Sequence, residues 1–147
     1  MSVIIRDAAP GDEARWRELW AGYTTFYQVD VPEDVTASVW QRVFSPASPL
    51  FMRVAEVDGA VEGFAICLTH EGTWVKEPLL YLEDLFLDAR LRGRGIGKAL
   101  LDDLVAMCKA KGWSRLYWHT NEDNATARKL YDQYVKSDGH VRYRMSF

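Results

Sequence analysis

The segment from residue 80 to residue 98 constrains the fold more than any other part of the chain. It reads Leu-Tyr-Leu-Glu-Asp-Leu-Phe-Leu-Asp-Ala-Arg-Leu-Arg-Gly-Arg-Gly-Ile-Gly-Lys. An apolar strand containing two acids runs into a basic, glycine-rich turn, and the turn opens an amphipathic helix. Such a turn presents several backbone N–H groups at the positive end of a helix dipole, where they can bind a phosphate or pyrophosphate. We therefore expect a phosphorylated ligand at this turn.

Two common phosphate loops do not fit the segment. A Walker A loop requires a glycine where the chain has Arg92, and Ser or Thr after the lysine, where it has alanine. The dinucleotide fingerprint, begun at Gly93, requires a third glycine at the position of Lys98. The pattern that does fit is Arg-x-x-Gly-x-Gly, formed by Arg92, Gly95 and Gly97.

This pattern resembles the acyl-coenzyme A pyrophosphate loop of the GNAT superfamily of N-acetyltransferases. A second motif, Asn-Ala-Thr-Ala-Arg-Lys-Leu-Tyr from Asn124 to Tyr131, resembles the next helix of that superfamily. The Tyr-Leu-Glu-Asp strand and the Tyr-Trp-His-Thr-Asn strand end are most similar to the branch containing polyamine, histone-tail and amino-acid acetyltransferases. The resemblance extends over almost the whole chain. It implies that acetyl-CoA is the cosubstrate and that no metal takes part.

The resemblance also implies which residues hold the coenzyme. The backbone of the strand that ends at Leu87 is expected to pair with the pantetheine amides as an added strand would. The N–H of Leu85 is then the candidate donor to the thioester oxygen. The expected coenzyme-binding residues are Leu85, Phe86, Leu87, Arg92, Gly93, Arg94, Gly95, Ile96, Gly97, Lys98, Asn124 and Ala127.

Acetyl transfer to an amine requires a base, because an alkylammonium with a pKa near 10.4 is disfavoured as a neutral nucleophile at pH 7 by roughly 4.6 kcal/mol. We predict Glu83 as this base, since the GNAT arrangement places it beside the thioester. Asp84 points to the opposite face unless a bulge intervenes, so it is the second candidate or a holder of a cationic substrate. His119 is a further alternative as the base. Both acids could instead form structural ion pairs within the sheet.

Tyr131 is the candidate general acid for the leaving sulfur, because its seven-residue offset from Asn124 matches the family's pattern. The alternative is a core tyrosine, since Tyr131 shares an apolar helix face with Ala127, Leu130 and Tyr134. Asn124 fits a helix N-cap equally well, and the sequence does not separate that role from contact with pantetheine.

The expected acceptor is a small cationic amine, either a polyamine, a diamine or an amino acid. The expected substrate-binding residues are Asp84, Tyr27, Glu33 and His119. Glu33 lies with Asp30 and Asp34 between the first two helices, where GNAT proteins usually build the acceptor pocket. The acids there could instead compensate the dipole of the second helix. Two other functions stay open: acetylation of lysine side chains or N-termini of proteins and peptides, and non-catalytic binding of acyl-CoA.

The order of predicted elements is βααβββαβαβ, which indicates an α+β fold (mixed α/β) with a central, mostly antiparallel sheet and helices on both faces. We expect residues 1–147 to form a single N-acetyltransferase domain. The last predicted strand rests on the alternation of Val141, Tyr143, Met145 and Phe147 with Arg142, Arg144 and Ser146. An apolar edge strand invites pairing, so a homodimer is expected.

Composition excludes several classes of function. The formal net charge of −3 provides no basic surface for nucleic acid. No run of residues reaches the ~18–20 apolar positions of a membrane span. Cys67 and Cys108 are too few and too scattered for a disulfide framework or a zinc site, so we expect reduced packing residues. The cytoplasm is the expected location.

Overall fold

The structure, a computed structural model, describes all residues from 1 to 147. Its helices and strands are, in chain order, β1 (Val3–Asp7), α1 (Glu13–Phe26), α2 (Glu33–Val43), β2 (Leu50–Val57), β3 (Ala60–His70), β4 (Leu79–Leu87), α3 (Ile96–Lys111), β5 (Arg115–Trp118) and α4 (Ala125–Tyr131). The five strands form one sheet in the order β1-β2-β3-β4-β5. The first three pairings are antiparallel and the pairing of β4 with β5 is parallel. The predicted α+β class is therefore confirmed.

Helices cover both faces of this sheet. On one face, α3 packs its buried leucines and Ile96 against Ala65, Cys67 and Leu80. On the other face, α1 and α2 bring Trp16 and Trp40 against the strands. The 3.6-residue spacing of these apolar side chains in the sequence is what turns each helix toward the sheet. None of the helices has both the length and the apolar character needed to cross a membrane.

The turn between β2 and β3 follows from two residues. Asp58 has φ of 48° and Gly59 has φ of 88°, so both occupy the left-handed region that a tight hairpin turn requires. Asp58 also accepts a hydrogen bond from the backbone N–H of Ser2 at 2.8 Å, which ties the start of β1 to the turn. The Asp-Gly pair between two apolar runs predicts such a hairpin from the sequence, and the antiparallel pairing of β2 with β3 confirms it.

The last predicted strand is wrong. Residues 136–147 form no strand, and the alternating side chains of Val141, Tyr143, Met145 and Phe147 are 74%, 93%, 79% and 112% exposed. An alternating pattern specifies one apolar face, but a strand also needs a neighbouring backbone with which to pair. In this chain no strand lies beside residues 141–147, and β5 is the last strand of the sheet.

The sheet opens between β4 and β5. The two strands pair only over Leu79–Leu82 and Arg115–Trp118, and β4 continues to Leu87 without β5 beside it. Backbone groups on this side of β4 are therefore free to pair with something other than β5. This opening positions the candidate site described next.

Candidate active site

A β-bulge in β4 decides where its two acids point. Asp84 pairs with Ile66 of β3 and Leu82 pairs with Cys67, so Glu83 has no partner on β3. Without the extra residue, Leu82 and Asp84 would lie on the same face. With it, Leu82 packs in the core beneath α3, whereas Asp84 reaches Tyr23 of α1 on the other side of the sheet. The bulge that the sequence left open is therefore present, and it places Asp84 against Tyr23 of α1.

The cleft lies at the point where β4 and β5 separate. Four elements meet there: the end of α1, the bulged part of β4, the end of β5, and α4. Apart from Glu83 and His119, its wall is made of aromatic and aliphatic side chains. The lining residues are Tyr23, Tyr27, Leu82, Glu83, Leu85, Trp118, His119 and Tyr131.

Asp84 is held by one strong hydrogen bond. The hydroxyl of Tyr23 donates to Oδ1 of Asp84 at 2.7 Å. Burial raises the pKa of Asp84 to about 6; the hydrogen bond opposes this rise and the nearby charge of Glu83 adds to it. Burial and the Asp84 charge together raise the pKa of Tyr23. The Tyr23 hydroxyl is therefore a permanent donor, and Asp84 titrates close to neutral pH.

Tyr131 closes the cleft from α4. Its ring meets Trp118 edge-on, with the centroids 5.4 Å apart. Burial raises the pKa of Tyr131 to about 12, so its hydroxyl is protonated at neutral pH and can donate a proton or a hydrogen bond. Tyr131 and Glu83 line the same cleft, as the predicted pairing of an acid and a base requires.

His119 lines the cleft and also contacts Tyr81 of β4. The Tyr81 hydroxyl lies 3.2 Å from Nδ1 of His119. Burial and the carboxylate of Glu83 raise the pKa of Tyr81 to about 12. His119, Tyr81 and Glu83 thus form a row of polar groups that leads from the cleft to the exposed side chain of His119.

The glycine-rich turn has the backbone that a phosphate site needs. Gly93 has φ of 79° and Gly95 has φ of 83°, values that favour glycine. Gly95 is the N-cap of α3, which is 16 residues long, so several free N–H groups and the positive end of the dipole face the turn. A Cβ at Gly97 would lie 3.4 Å from Leu130 of α4 and 3.6 Å from Leu87, so this glycine lets α3 approach both elements.

The cations of the turn are not equally available to an anion. The Arg92 guanidinium lies over the rings of Phe26 and Phe86, at 5.3 and 5.4 Å. Lys98 pairs with Asp102 at 2.8 Å. Arg94 is exposed and makes neither an ion pair nor a side-chain hydrogen bond within the chain. Arg94 is therefore the basic side chain most free to meet a phosphate.

Three further predicted residues lie in three different surroundings. Asn124 caps α4, where its side-chain oxygen accepts a hydrogen bond from the N–H of Ala127 at 3.2 Å. The ring of Phe86 packs on Tyr23 and Phe64, on the face of the sheet that α1 covers. Glu33 lies outside the cleft, because its carboxylate is 77% exposed and pairs with Arg17 at 2.7 Å.

Sequence reasoning missed three residues of the cleft region: Tyr23, Trp118 and Tyr81. Tyr23 follows the helical spacing of the apolar residues of α1, so the sequence predicts only that it lies on the face of the helix that meets the sheet. Tyr27, which was predicted to bind the substrate, caps the end of α1 and lines the cleft. The periodicity that reveals this face does not reveal that it ends beside a buried acid 61 residues away.

Comparison with known proteins agrees with this geometry. Residues 14–135 match the model of the acetyltransferase (GNAT) family. The chain is 28% identical over 145 residues to the D-amino-acid N-acetyltransferase HPA3 of Saccharomyces cerevisiae, covering 97% of this chain and 89% of the relative. It is 36% identical over 78 residues to a thialysine N-epsilon-acetyltransferase of Caenorhabditis elegans, covering 50% of this chain and 48% of the relative.

Solved structures show the same fold. The structure of AAC(6')-Iy in complex with the bisubstrate analog CoA-S-monomethyl-acetylneamine superposes with a TM-score of 0.83 over 100% of both chains, at 21% identity.

Proposed function

Because the chain belongs to the GNAT acetyltransferase family and is an acetyl-CoA-dependent N-acetyltransferase, we propose that it acetylates the primary amine of a small cationic substrate. The candidate acceptors are polyamines, diamines and amino acids. The acid Glu83 and an aromatic wall in one cleft, with Asp84 hydrogen-bonded to the lining residue Tyr23, suit an ammonium group through charge and through cation–π contact. Both relatives are N-acetyltransferases of small molecules by name, which supports a small acceptor.

In this proposal Glu83 begins the reaction. Its carboxylate takes a proton from the bound ammonium, directly or through water, and leaves a neutral amine. The amine nitrogen forms a bond to the thioester carbonyl carbon, and the N–H of Leu85 stabilises the negative charge on the carbonyl oxygen. When the carbon–sulfur bond breaks, Tyr131 gives its proton to the leaving sulfur. The new amide nitrogen loses its second proton through solvent, which returns one proton to Tyr131, and Glu83 releases its own proton to solvent. Because its pKa is raised to about 12, the Tyr131 phenol is protonated at neutral pH and is present as a donor when the thiolate forms.

Asp84 has a different role, as the holder of the substrate cation. It is more buried than Glu83, and the Tyr23 hydroxyl already occupies one of its oxygens. A carboxylate fixed in this way is better suited to bind a cation than to take up and release protons. Glu83 stands on the bulge and is exposed, which suits exchange of a proton with solvent.

The chain's own residues fit a bound acetyl-CoA. The turn of Gly93 and Gly95 at the start of α3 offers N–H groups to the diphosphate, and the unpaired side of β4 offers backbone groups to the pantetheine amides. When bound, the coenzyme supplies the activated acetyl group. The observation that carries the proposal is that Glu83 and the phenol of Tyr131 line one cleft where β4 and β5 separate, and that the unpaired part of β4 leads from this cleft toward the glycine-rich turn.

Ligand-dependent thermal unfolding tests the coenzyme. Acetyl-CoA at one hundred times its Kd should stabilise the protein by about 2.7 kcal/mol. For a domain of this size that corresponds to a rise in Tm of roughly 5–10 °C. ATP and NAD serve as controls and should give no comparable shift. A clear shift with either control and none with acetyl-CoA would overturn the assignment.

Release of free coenzyme A thiol, measured over a panel of amines, tests the acceptor. We expect turnover with at least one diamine, polyamine or amino acid. Lysine-containing peptides belong in the same panel, because turnover with peptides alone would favour a protein or peptide acetyltransferase. Binding of acetyl-CoA without turnover of any amine would favour a non-catalytic acyl-CoA module.

We further propose that residues 1–147 act as one acetyltransferase domain, in the cytoplasm and as a homodimer. Cys67 is buried and Cys108 is partly buried, and neither forms a disulfide, which suits a reducing compartment. Fractionation of the producing cells tests the location, and light scattering of the purified chain tests the oligomeric state.

A further inference from the structure

Asp84 differs from the other half-buried aspartates of the chain in having no cationic partner. Asp12, Asp88 and Asp103 each pair with an arginine at 3.0 Å or less. Asp84 instead accepts a hydrogen bond from the Tyr23 hydroxyl at 2.7 Å and forms no ion pair. Because a buried carboxylate is costly without a counter-charge, this position favours a cation that comes from outside the chain.

Tyr23 lies between Asp84 and the cleft. The lining residues of the cleft include Tyr23 and Glu83 but not Asp84. The side chain of Tyr23 lines the cleft, and its hydroxyl donates to Asp84. The charge of Asp84 therefore reaches the cleft across the hydroxyl group of Tyr23.

The ring of Tyr23 is held in place by its neighbours. Four aromatic side chains surround it, with ring centroids 5.0 to 5.9 Å away: Trp20, Tyr27, Phe64 and Phe86. At the preceding position of α1, a Cβ on Gly22 would lie 3.2 Å from the Phe86 ring, so the helix lies close against β4. The hydroxyl of Tyr23 is consequently fixed before any ligand binds.

The direction of the hydrogen bond decides what this hydroxyl offers to a ligand. A phenol has one hydrogen to donate and an oxygen that can also accept. Burial and the charge of Asp84 raise the pKa of Tyr23, so the hydrogen stays on the phenol and is directed to Asp84. Toward the cleft, the oxygen can therefore only accept. Donation to a carboxylate also makes it a better acceptor, because connected hydrogen bonds polarise one another.

We propose that the Tyr23 oxygen accepts a hydrogen bond from an N–H of the acceptor's ammonium group, and that Asp84 holds this cation through Tyr23. This inference rests on the proposed function and specifies how the cation is bound. The bond requires an N–H on the ligand. The site should therefore prefer a primary ammonium, which has three donors, to a quaternary ammonium, which has none.

The contact also orients the nucleophile. Glu83 takes one proton from the ammonium, and the neutral primary amine that remains still has two N–H groups. The hydrogen bond to Tyr23 can therefore persist while the nitrogen attacks the thioester, which limits rotation of the amine. Tyr23 gives up no proton in this step, because its own hydrogen stays in the bond to Asp84.

Titration with two matched cations, followed by nuclear magnetic resonance, tests the contact. The probes are butylammonium and butyltrimethylammonium, which have the same charge and the same alkyl chain. With excess coenzyme A at pH 8, where Asp84 is ionised, we expect the intact chain to bind butylammonium about tenfold more tightly. Tyr23→Phe should reduce this preference to about twofold or less, because it removes the accepting oxygen and keeps the ring.

Two further variants separate the hydrogen bond from charge and from packing. Asp84→Asn keeps an oxygen that accepts from Tyr23 but removes the charge, so both cations should bind about tenfold more weakly with the preference retained. Tyr117→Phe removes a hydroxyl that contacts His70 at 2.6 Å outside the cleft, and both affinities should stay unchanged. An intact chain without the preference, or the same preference in Tyr23→Phe, would overturn the proposal.

Release of coenzyme A thiol by the intact chain reports on the proposed function separately, because the titration needs no turnover. Turnover of an amine, together with an undiminished preference in Tyr23→Phe, would defeat this inference and leave the proposed function standing. Loss of the preference in Tyr23→Phe without turnover of any amine would support the contact at Tyr23 and count against acetyl transfer.

Discussion

At the scale of single residues, the two neighbouring acids of β4 differ because their surroundings differ. Asp84 is partly buried against an aromatic helix face and Glu83 is exposed on the bulge. Burying a carboxylate with a single hydrogen bond destabilises its charged form. In a site that binds a cation, the buried carboxylate destabilises the free protein, and pairing with the bound cation removes this destabilisation.

Asp84→Asn should stabilise the free protein. The pKa of Asp84 is raised from its ordinary value of 3.8 to about 6 in the folded protein. Ionisation of Asp84 therefore lowers the free energy of unfolding by roughly 3 kcal/mol. This loss of stability is fully present above pH 6 and absent below pH 3.8. The asparagine oxygen can still accept the Tyr23 hydrogen bond. Urea unfolding at pH 8 should therefore show a gain of about 2–3 kcal/mol that disappears near pH 3.5, while KM for the amine rises about tenfold at pH 8. A loss of stability at pH 8 would contradict this account.

Glu83→Gln should lower kcat by about 100-fold at pH 7, because the amide cannot take the ammonium proton. The deficit should shrink as the pH approaches the amine pKa, near 10.4, since neutral amine then becomes abundant. The pH profile of kcat, together with acetyl-CoA affinity from calorimetry, measures both effects. An equal loss of acetyl-CoA affinity would remove Glu83 from the role of base.

Tyr131→Phe should reduce kcat by about 10- to 100-fold with little change in Tm, since the ring still packs on Trp118. Tyr134→Phe is the matched control, because its hydroxyl bonds to Asp102 outside the cleft and its loss should leave kcat unchanged. Steady-state rates for both variants make the comparison. If Tyr131→Phe turned over at the normal rate, Tyr131 would be a packing residue only.

At the scale of elements, the site depends on irregularities in regular structure. The bulge redirects Asp84, the separation of β4 from β5 frees one side of β4, and Gly93 and Gly95 bend the turn into α3. Each irregularity leaves backbone groups without a partner in the sheet or helix. These free groups are what a pantetheine and a diphosphate can use.

Gly95→Ala should weaken acetyl-CoA binding at least tenfold, because φ of 83° is strained for alanine and relaxation would move the N–H groups at the start of α3. Gly59→Ala is the matched control: its φ is 88°, and like Gly95 it has no heavy atom within 4 Å of a new Cβ. Both variants should lose about 1–2 kcal/mol of stability. Calorimetry should then show that only Gly95→Ala loses affinity, and equal affinities would contradict a diphosphate site at this turn.

At the scale of the whole molecule, one arginine ties α3 to the sheet. Arg53 of β2 donates to both oxygens of Asp103 on α3 at 2.9 Å, and both side chains are 16% exposed. The same guanidinium also meets Asp7 of β1 at 2.7 Å, but Asp7 is 80% exposed. Position in the molecule therefore gives two otherwise similar ion pairs different environments.

Asp103→Ala should lower the free energy of unfolding by about 3 kcal/mol, because it leaves a largely buried guanidinium without its main partner. Asp7→Ala removes an exposed partner of the same arginine and should cost less than about 1 kcal/mol. Urea unfolding of both variants at moderate and high salt measures the difference. Equal losses would mean that Arg53 is solvated and does not hold α3 in place.

Much of the secondary structure could be predicted from local sequence patterns. Helical spacing predicted α1 to α4, Asp58-Gly59 predicted the hairpin, and the Arg-x-x-Gly-x-Gly turn predicted the start of α3. These features depend on residues a few positions apart, and there backbone sterics and periodicity decide the outcome. The same locality explains why Asn124 was correctly expected to suit an N-cap.

Tertiary structure alone decided the rest. The bulge at Glu83 arises from the register of β4 against β3, and the hydrogen bond from Tyr23 to Asp84 joins residues 61 positions apart. The tail shows the same limit, because its alternation specifies a strand face but not a neighbouring backbone. The sequence by itself determined the four helices, the first five strands and the glycine-rich turn before α3. Packing between distant segments determined which of the two acids is the more buried and where the sheet opens, since both depend on contacts that no local pattern encodes.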